Sequence, residues 1–99
     1  MITQISLQNL GTINKNRIVL NTDKHNFIFY FSYETLVGIQ YWLYDKDGRE
    51  TANKRAVIQN QWSTTTGKLL NELEPDKKKR VKPAEFDEKV AEMMKFINS

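Results

Sequence analysis

The stretch QWSTTTGKLL, residues 61–70, comes closest to a catalytic motif, because a Gly-Lys pair follows a run of hydroxyl residues. A phosphate loop that binds nucleotides needs another glycine five residues before the Gly-Lys pair, so that the backbone can curl around the phosphates. It also needs Ser or Thr directly after the lysine, to hold Mg²⁺. Trp62 and Leu69 occupy these two positions. The stretch therefore argues against nucleotide hydrolysis.

The start of a helix accounts for the same residues. Ser63 is a suitable N-cap, Trp62 would anchor the approach in the core, and the three threonines that follow are acceptable in a first turn. The alternative is that this helix N-terminus, together with Lys68, contacts an anion or a partner.

Other groups with catalytic chemistry are sparse. The single histidine, His25, lies beside Asp23 and Lys24 at an expected strand start, which favours a surface position. Asp45 and Asp47 lie two residues apart in a turn and could bind a cation only loosely. The chain has no cysteine, which excludes disulfides, thiolate metal sites and a thiol nucleophile. We expect no enzyme activity, no metal and no cofactor.

Basic residues concentrate between positions 53 and 82. That stretch holds eight basic residues against three acidic ones, whereas the whole chain has a net charge of +3. Such an excess attracts phosphate backbones or an acidic protein surface, and it can also simply solvate a loop. The basic residues are Lys54, Arg55, Lys68, Lys77, Lys78, Lys79, Arg80 and Lys82.

Aromatic residues on a sheet beside a basic stripe can stack bases while lysines neutralise phosphates. The competing interpretation is that most aromatics of a 99-residue domain fill its core. The candidates are Tyr30, Tyr41, Trp42, Tyr44 and Trp62.

The first two-thirds of the chain predicts an antiparallel sheet. Short alternating stretches at 4–8 and 17–20 precede a clear strand at 26–33, whose apolar residues on both faces indicate a central position. The next strand, 36–44, leads into an Asp-Gly turn, and 54–60 is expected to return beside it.

Two helices are predicted after the sheet, joined by a Lys/Arg-rich loop. The first spans about 64–73 and ends before Pro75, and the second has Pro83 in its first turn. An apolar stripe on the second helix fits packing on the sheet, or a partner. We therefore expect one α+β domain over 1–99. Its small antiparallel meander of four to five strands (1–61) is followed by two helices (62–99) packed on one face of the sheet.

Two motifs resemble a family of small, largely uncharacterised proteins encoded by bacteriophages and other mobile elements, chiefly of Gram-positive bacteria. They are YFSYETLVG at 30–38 and WSTTTGKLLN at 62–71. The family pattern reads Phe-Ser-Tyr-x-Thr-x-Val/Ile-Ala and then Trp-Ser-x-Thr-Thr-x-Lys-His-Leu-Asn. Leu69 stands in place of the histidine, which argues against histidine chemistry in this chain.

The resemblance covers roughly residues 17–73 and implies a phage or plasmid accessory protein. We expect a non-catalytic binding protein that inhibits a host nuclease or a defence complex such as CRISPR–Cas, in the manner of an anti-CRISPR protein. Its partner would be a host protein or ribonucleoprotein complex, contacted through Trp62 and the basic residues of 53–82. The alternative is an accessory protein that binds DNA or RNA directly with the same residues. Neither a signal peptide nor a membrane span is evident, so the cytoplasm of a bacterial host is the expected location.

Overall fold

The computed structural model describes residues 1–12, 14–60 and 64–97, with the side chains of residues 64 and 65 outside that description. Five antiparallel strands form one sheet whose spatial order follows the chain. The strands are β1 (Ile2–Asn9), β2 (Lys15–Thr22), β3 (Asn26–Ser32), β4 (Thr35–Tyr44) and β5 (Glu50–Val57). Helix α1 (Thr64–Leu73), a 3-10 turn (Lys77–Lys79) and helix α2 (Pro83–Ile97) follow. This arrangement confirms the predicted α+β fold.

Two turns show why the central strands pair where they do. Between β4 and β5, Asp45 accepts hydrogen bonds on Oδ1 from the amides of Asp47 and Arg49 at 2.9 and 3.0 Å. Gly48 has a φ of 79°, which glycine adopts without steric cost. Between β3 and β4, Tyr33 has a φ of 54°, in the left-handed region that single turn residues occupy. The hairpin connection expected at 45–50 is confirmed, since β4 ends at Tyr44 and β5 begins at Glu50.

Cross-strand register assigns each side chain to one of two sheet faces, because directly paired residues point to the same side. One row joins Ile5, Leu20, Phe27, Tyr41 and Lys54 across all five strands. The neighbouring rows point the opposite way. Alternate residues of β4 therefore point to opposite faces of the sheet, and each face has to pack against another element.

The two helices cover different parts of this sheet. On α2, Phe96 lies 6.2 Å from the ring of Tyr41, and Glu92 pairs with Lys54 at 3.1 Å. Helix α2 therefore packs on the face that bears Tyr41.

Helix α1 makes its contacts with residues that point the other way. Leu73 Cδ1 lies 3.1 Å from the place a Cβ on Gly38 would take, so a glycine lets the helix approach the strand. Glu74, just beyond the helix, pairs with Arg55 at 3.3 Å. Because Lys54 and Arg55 are adjacent on β5, their separate partners show that the helix ends reach opposite faces of the sheet. The sequence interpretation places both helices on one face of the sheet, and the structure corrects that placement.

The core lies between the sheet and the apolar sides of the helices. Its fully buried members include Phe27, Ile39, Leu69, Leu70 and Met93, each at most 1% exposed. Phe86, Met93 and Ile97 of the predicted apolar stripe on α2 are buried, which fits packing on the sheet.

Several boundaries differ from those that the sequence predicted. Strands β1 and β2 are longer than 4–8 and 17–20, because their pairing continues through polar residues that give no apolar signal. Strand β5 starts earlier and ends earlier than 54–60. The anchoring role of Trp62 and the N-cap role of Ser63 lie outside the described residues. Within the part of the chain that is described, no helix is long and apolar enough to cross a membrane.

Candidate binding cleft and basic surface

The segment between the two helices is tied to the sheet. Val81 forms a parallel bridge with Ile58, in which the Gln59 amide donates to Val81 O at 2.8 Å and the Val81 amide donates to Val57 O at 2.9 Å. Asp76 caps the 3-10 turn by accepting from the Lys78 amide at 3.0 Å. The Lys/Arg-rich loop of the sequence prediction is therefore an ordered segment, because backbone hydrogen bonds hold it at both ends.

Arg80 lies inside this segment and is only 5% exposed. Its Nε donates to the backbone oxygen of Glu74 at 3.0 Å, and its Nη2 donates to Asn71 Oδ1. These contacts join the end of α1 to the segment that follows. No ion pair among the described residues includes Arg80, so its buried positive charge is met by neutral oxygens. The sequence interpretation had placed Arg80 on the surface, and the structure corrects it.

A cleft of about 400 Å³ lies beside Arg80. Its lining comes from the end of β5, from α1 and from the segment after it, namely Gln59, Asn60, Gly67, Asn71, Lys77 and Arg80. Among the described residues, the lining therefore holds two cations and three side-chain amides, and no carboxylate. Such a set of donors suits an anionic group, in particular phosphate or carboxylate.

Gly67 has a packing role at this cleft. A Cβ at Gly67 would lie 2.9 Å from Nδ2 of Asn60, so the missing side chain leaves room for that amide against the helix. Gly67, the glycine of the Gly-Lys pair, thus lets the Asn60 side chain approach α1. A phosphate-loop pattern does not predict this packing role.

The remaining basic residues of 53–82 fall into two groups. Lys54 and Arg55 are each engaged in an ion pair, with Glu92 and Glu74 respectively. The hydrogen bond that the Lys54 ammonium donates to the Glu92 carboxylate raises the pKa of Lys54 above its usual value. The other group is exposed and has no ion pair within the described part of the chain. This basic surface comprises Lys68, Lys77, Lys78, Lys79 and Lys82.

The candidate stacking aromatics do not form one exposed group. Tyr41 is 3% exposed and packs between Phe27 and Phe96, and its burial raises its pKa. Tyr30 and Trp42 are half-buried on the opposite face of the sheet. Tyr41 is thus a core residue, and Trp62 lies outside the described residues.

His25 is buried, which corrects the expected surface position. Its Nδ1 accepts a hydrogen bond from the Tyr44 amide at 3.1 Å, and its ring meets Phe27 and Phe96 edge-on. Desolvation lowers the pKa of His25, and the nearby Lys24 adds to that effect. The side chain serves the packing between strand ends and α2.

Sequence reasoning missed the amides of the cleft. The sequence predicts a strand through Gln59 and Asn60, and Asn71 stands out in it only as the last residue of a motif. The spacing of Asn71 and Arg80 offers no periodic signal, because their contact depends on the fold of the segment between them.

These features define a small α+β domain with a buried histidine, a cleft lined by cations and side-chain amides, and an adjoining basic surface. The chain belongs to DUF8033, a family of unknown function, whose model matches residues 2–88. No curated protein and no solved structure matches the chain.

Proposed function

We propose that the chain is a non-catalytic binding protein whose basic surface and adjoining cleft recognise a phosphate-bearing macromolecule. The observation that carries the proposal is the buried guanidinium of Arg80, which lines a cleft whose described residues include no carboxylate. A buried cation with no anionic partner is costly, and an anion bound in the cleft would offset that cost.

The basic surface extends this cleft outward. Lys77 belongs to both, since it lines the cleft and begins the 3-10 turn, and Lys78 and Lys79 follow it directly. Because the turn is capped and its end is bridged to the sheet, the lysine backbone is already ordered before a partner binds. Ordering in advance reduces the entropy lost on association.

The target we favour is a host nuclease or a defence complex such as CRISPR–Cas, inhibited by a protein that covers its nucleic-acid component. The resemblance of the 62–71 motif to proteins of mobile elements supports this target. The second candidate is direct binding of DNA or RNA as an accessory protein. It is supported by the lysines of the basic surface, whose charges are not used in ion pairs within the described chain.

Binding to nucleic acid is tested by fluorescence anisotropy with labelled single-stranded RNA and duplex DNA over a salt series. The expected result is binding that weakens steeply with salt. On duplex DNA the triple variant Lys77→Gln, Lys78→Gln, Lys79→Gln should flatten the logarithmic salt slope by roughly 2 to 3, since each phosphate contact contributes about 0.9. The matched control changes Lys24, Lys46 and Lys95, which are exposed elsewhere, to Gln.

The two targets separate in a second measurement, the cleavage rate of a host nuclease or CRISPR–Cas complex with and without the protein. Inhibition that the triple variant loses and the control variant keeps would support the host-directed role. Salt-dependent binding without inhibition would support the accessory role. Equal behaviour of both variants in both assays would refute the basic surface as the contact.

A further inference from the structure

Strand β1 is an open edge with an unusual composition. Residues 2–9 contain no Asp, Glu, Lys, Arg or Pro, and among the described residues no strand pairs with its outer side. Proteins usually protect such an edge with charges, proline or a covering loop. The strand carries only a register shift between Ile2 and Gln4.

The opposite edge of the sheet is protected. Strand β5 carries Glu50, Lys54 and Arg55, and the chain just beyond it is bridged to Val81. Among the described residues, β1 is therefore the edge strand that lacks both charged residues and a bridging segment.

Apolar side chains follow β1 on one face. Ile5 is 64% exposed and Leu7 is 72% exposed, on the face that α2 covers farther along the sheet. Leu20 of β2 and Leu10, just after β1, pack against the core, whereas Ile5 and Leu7 do not. Exposed apolar residues beside an unpaired edge mark a place where another strand can add.

The backbone groups that face outward can be assigned. The Leu10 amide donates to Lys15 O at 2.9 Å, toward β2. Successive residues of a strand point their backbone N–H and C=O groups to alternate sides. The backbone groups of Gln8 and Ser6 therefore point toward β2 as well, and those of Leu7 and Ile5 point outward.

We propose that β1 pairs antiparallel with β1 of a second copy of this chain, about a two-fold axis at Ser6. In this register Ile5 faces Leu7 of the other copy on one side of the sheet, and Gln4 faces Gln8 on the other. Both members of the first pair have outward backbone groups, so they exchange hydrogen bonds. The strand is uncharged, so no like charges face each other across the axis, and two five-stranded sheets become one of ten strands.

The size of the contact sets its strength. Residues 3–9 form a strip roughly 24 Å long at the usual rise of a strand. A single strand pair with its flanking apolar side chains lies below the roughly 1,200 Å² that stable interfaces bury. The pairing is therefore expected to be concentration-dependent, and a covalent trap is the most direct test.

Ser6→Cys provides that trap, because the chain has no cysteine of its own. At the axis the two Ser6 residues form a pair without backbone hydrogen bonds, whose Cα atoms lie about 4.5 Å apart, within the range that a disulfide bridges. Gln4→Cys is the matched control, since its own symmetry mate lies roughly 13 Å away. Mild oxidation should link most Ser6→Cys into dimers and leave Gln4→Cys monomeric. A mixture of Gln4→Cys and Gln8→Cys should form the mixed dimer.

Sedimentation velocity of the unmodified chain completes the test. The apparent mass should rise toward twice 11.7 kDa with concentration, and Ile5→Lys should abolish that rise while circular dichroism stays unchanged. Met94→Lys, a change at an exposed methionine on α2, should leave it intact. A monomer at all concentrations together with no Ser6→Cys linkage would overturn the proposal. Association that survives Ile5→Lys would overturn it too.

Discussion

Arg80→Met tests whether the buried guanidinium holds the end of α1 to the segment after it. Methionine keeps much of the unbranched stem and removes the charge, so the variant deletes two hydrogen bonds with little loss of packing. Both bonds are lost together, one to Glu74 O at 3.0 Å and one to Asn71 Oδ1.

The magnitude follows from these contacts. A hydrogen bond from a charged donor contributes about 1.5–3 kcal/mol, and loss of the charge returns part of its desolvation cost. We expect the free energy of unfolding to fall by about 2–3 kcal/mol, out of roughly 5–15 kcal/mol for a domain of this size. The melting temperature should drop by roughly 10–20 °C.

The assay is urea and thermal unfolding followed by circular dichroism, with Lys79→Met as the control at the exposed neighbouring position. That control should lie within about 0.5 kcal/mol of the unmodified chain. A double-mutant cycle with Asn71→Ala should give a coupling of about 1 kcal/mol or more. If Arg80→Met is as stable as Lys79→Met, the guanidinium does not tie the helix end, and the reasoning fails.

Two further outcomes are expected. Ser32→Ala should lower the free energy of unfolding by about 1–2 kcal/mol, because Ser32 Oγ lies 2.8 Å from Thr66 Oγ1 in a buried hydrogen bond; a change below 0.3 kcal/mol in urea unfolding would contradict this. The lowered pKa of His25 means that the unfolded chain takes up a proton near 6.5 while the folded chain does not. Stability should therefore decrease as the pH falls below about 6.5, by at most about 1.4 kcal/mol per pH unit. His25→Gln should remove that slope, and an unchanged slope would show that other groups produce it.

The central strands could be predicted because their side chains alternate without interruption. Strand β3 has apolar residues on both faces, and the structure gives it a neighbour on each side. The Asp-Gly turn was equally plain, since aspartate and glycine have specific roles there. These signals are local, and the sequence displays them directly.

The cleft could not be predicted, because its residues meet only after the chain folds. Asn60 approaches Gly67 through a missing side chain, and Arg80 reaches Asn71 from nine residues away. A charged residue within a run of basic residues is expected to be solvated. The structure, and not the sequence, shows that Arg80 is buried. The same limit applies to His25, whose neighbours include Tyr44 of β4 and Phe96 of α2.

The order of the strands has a consequence for how the chain folds. Every strand pairs with the strand that precedes or follows it, so each pairing closes only a short loop. Low sequence separation of contacts favours fast folding, and a meander of hairpins can form before the helices arrive. The face of the sheet that bears Tyr41 stays exposed to solvent until α2 packs on it. Docking of that helix is then expected to be the late step that gives the domain its cooperativity.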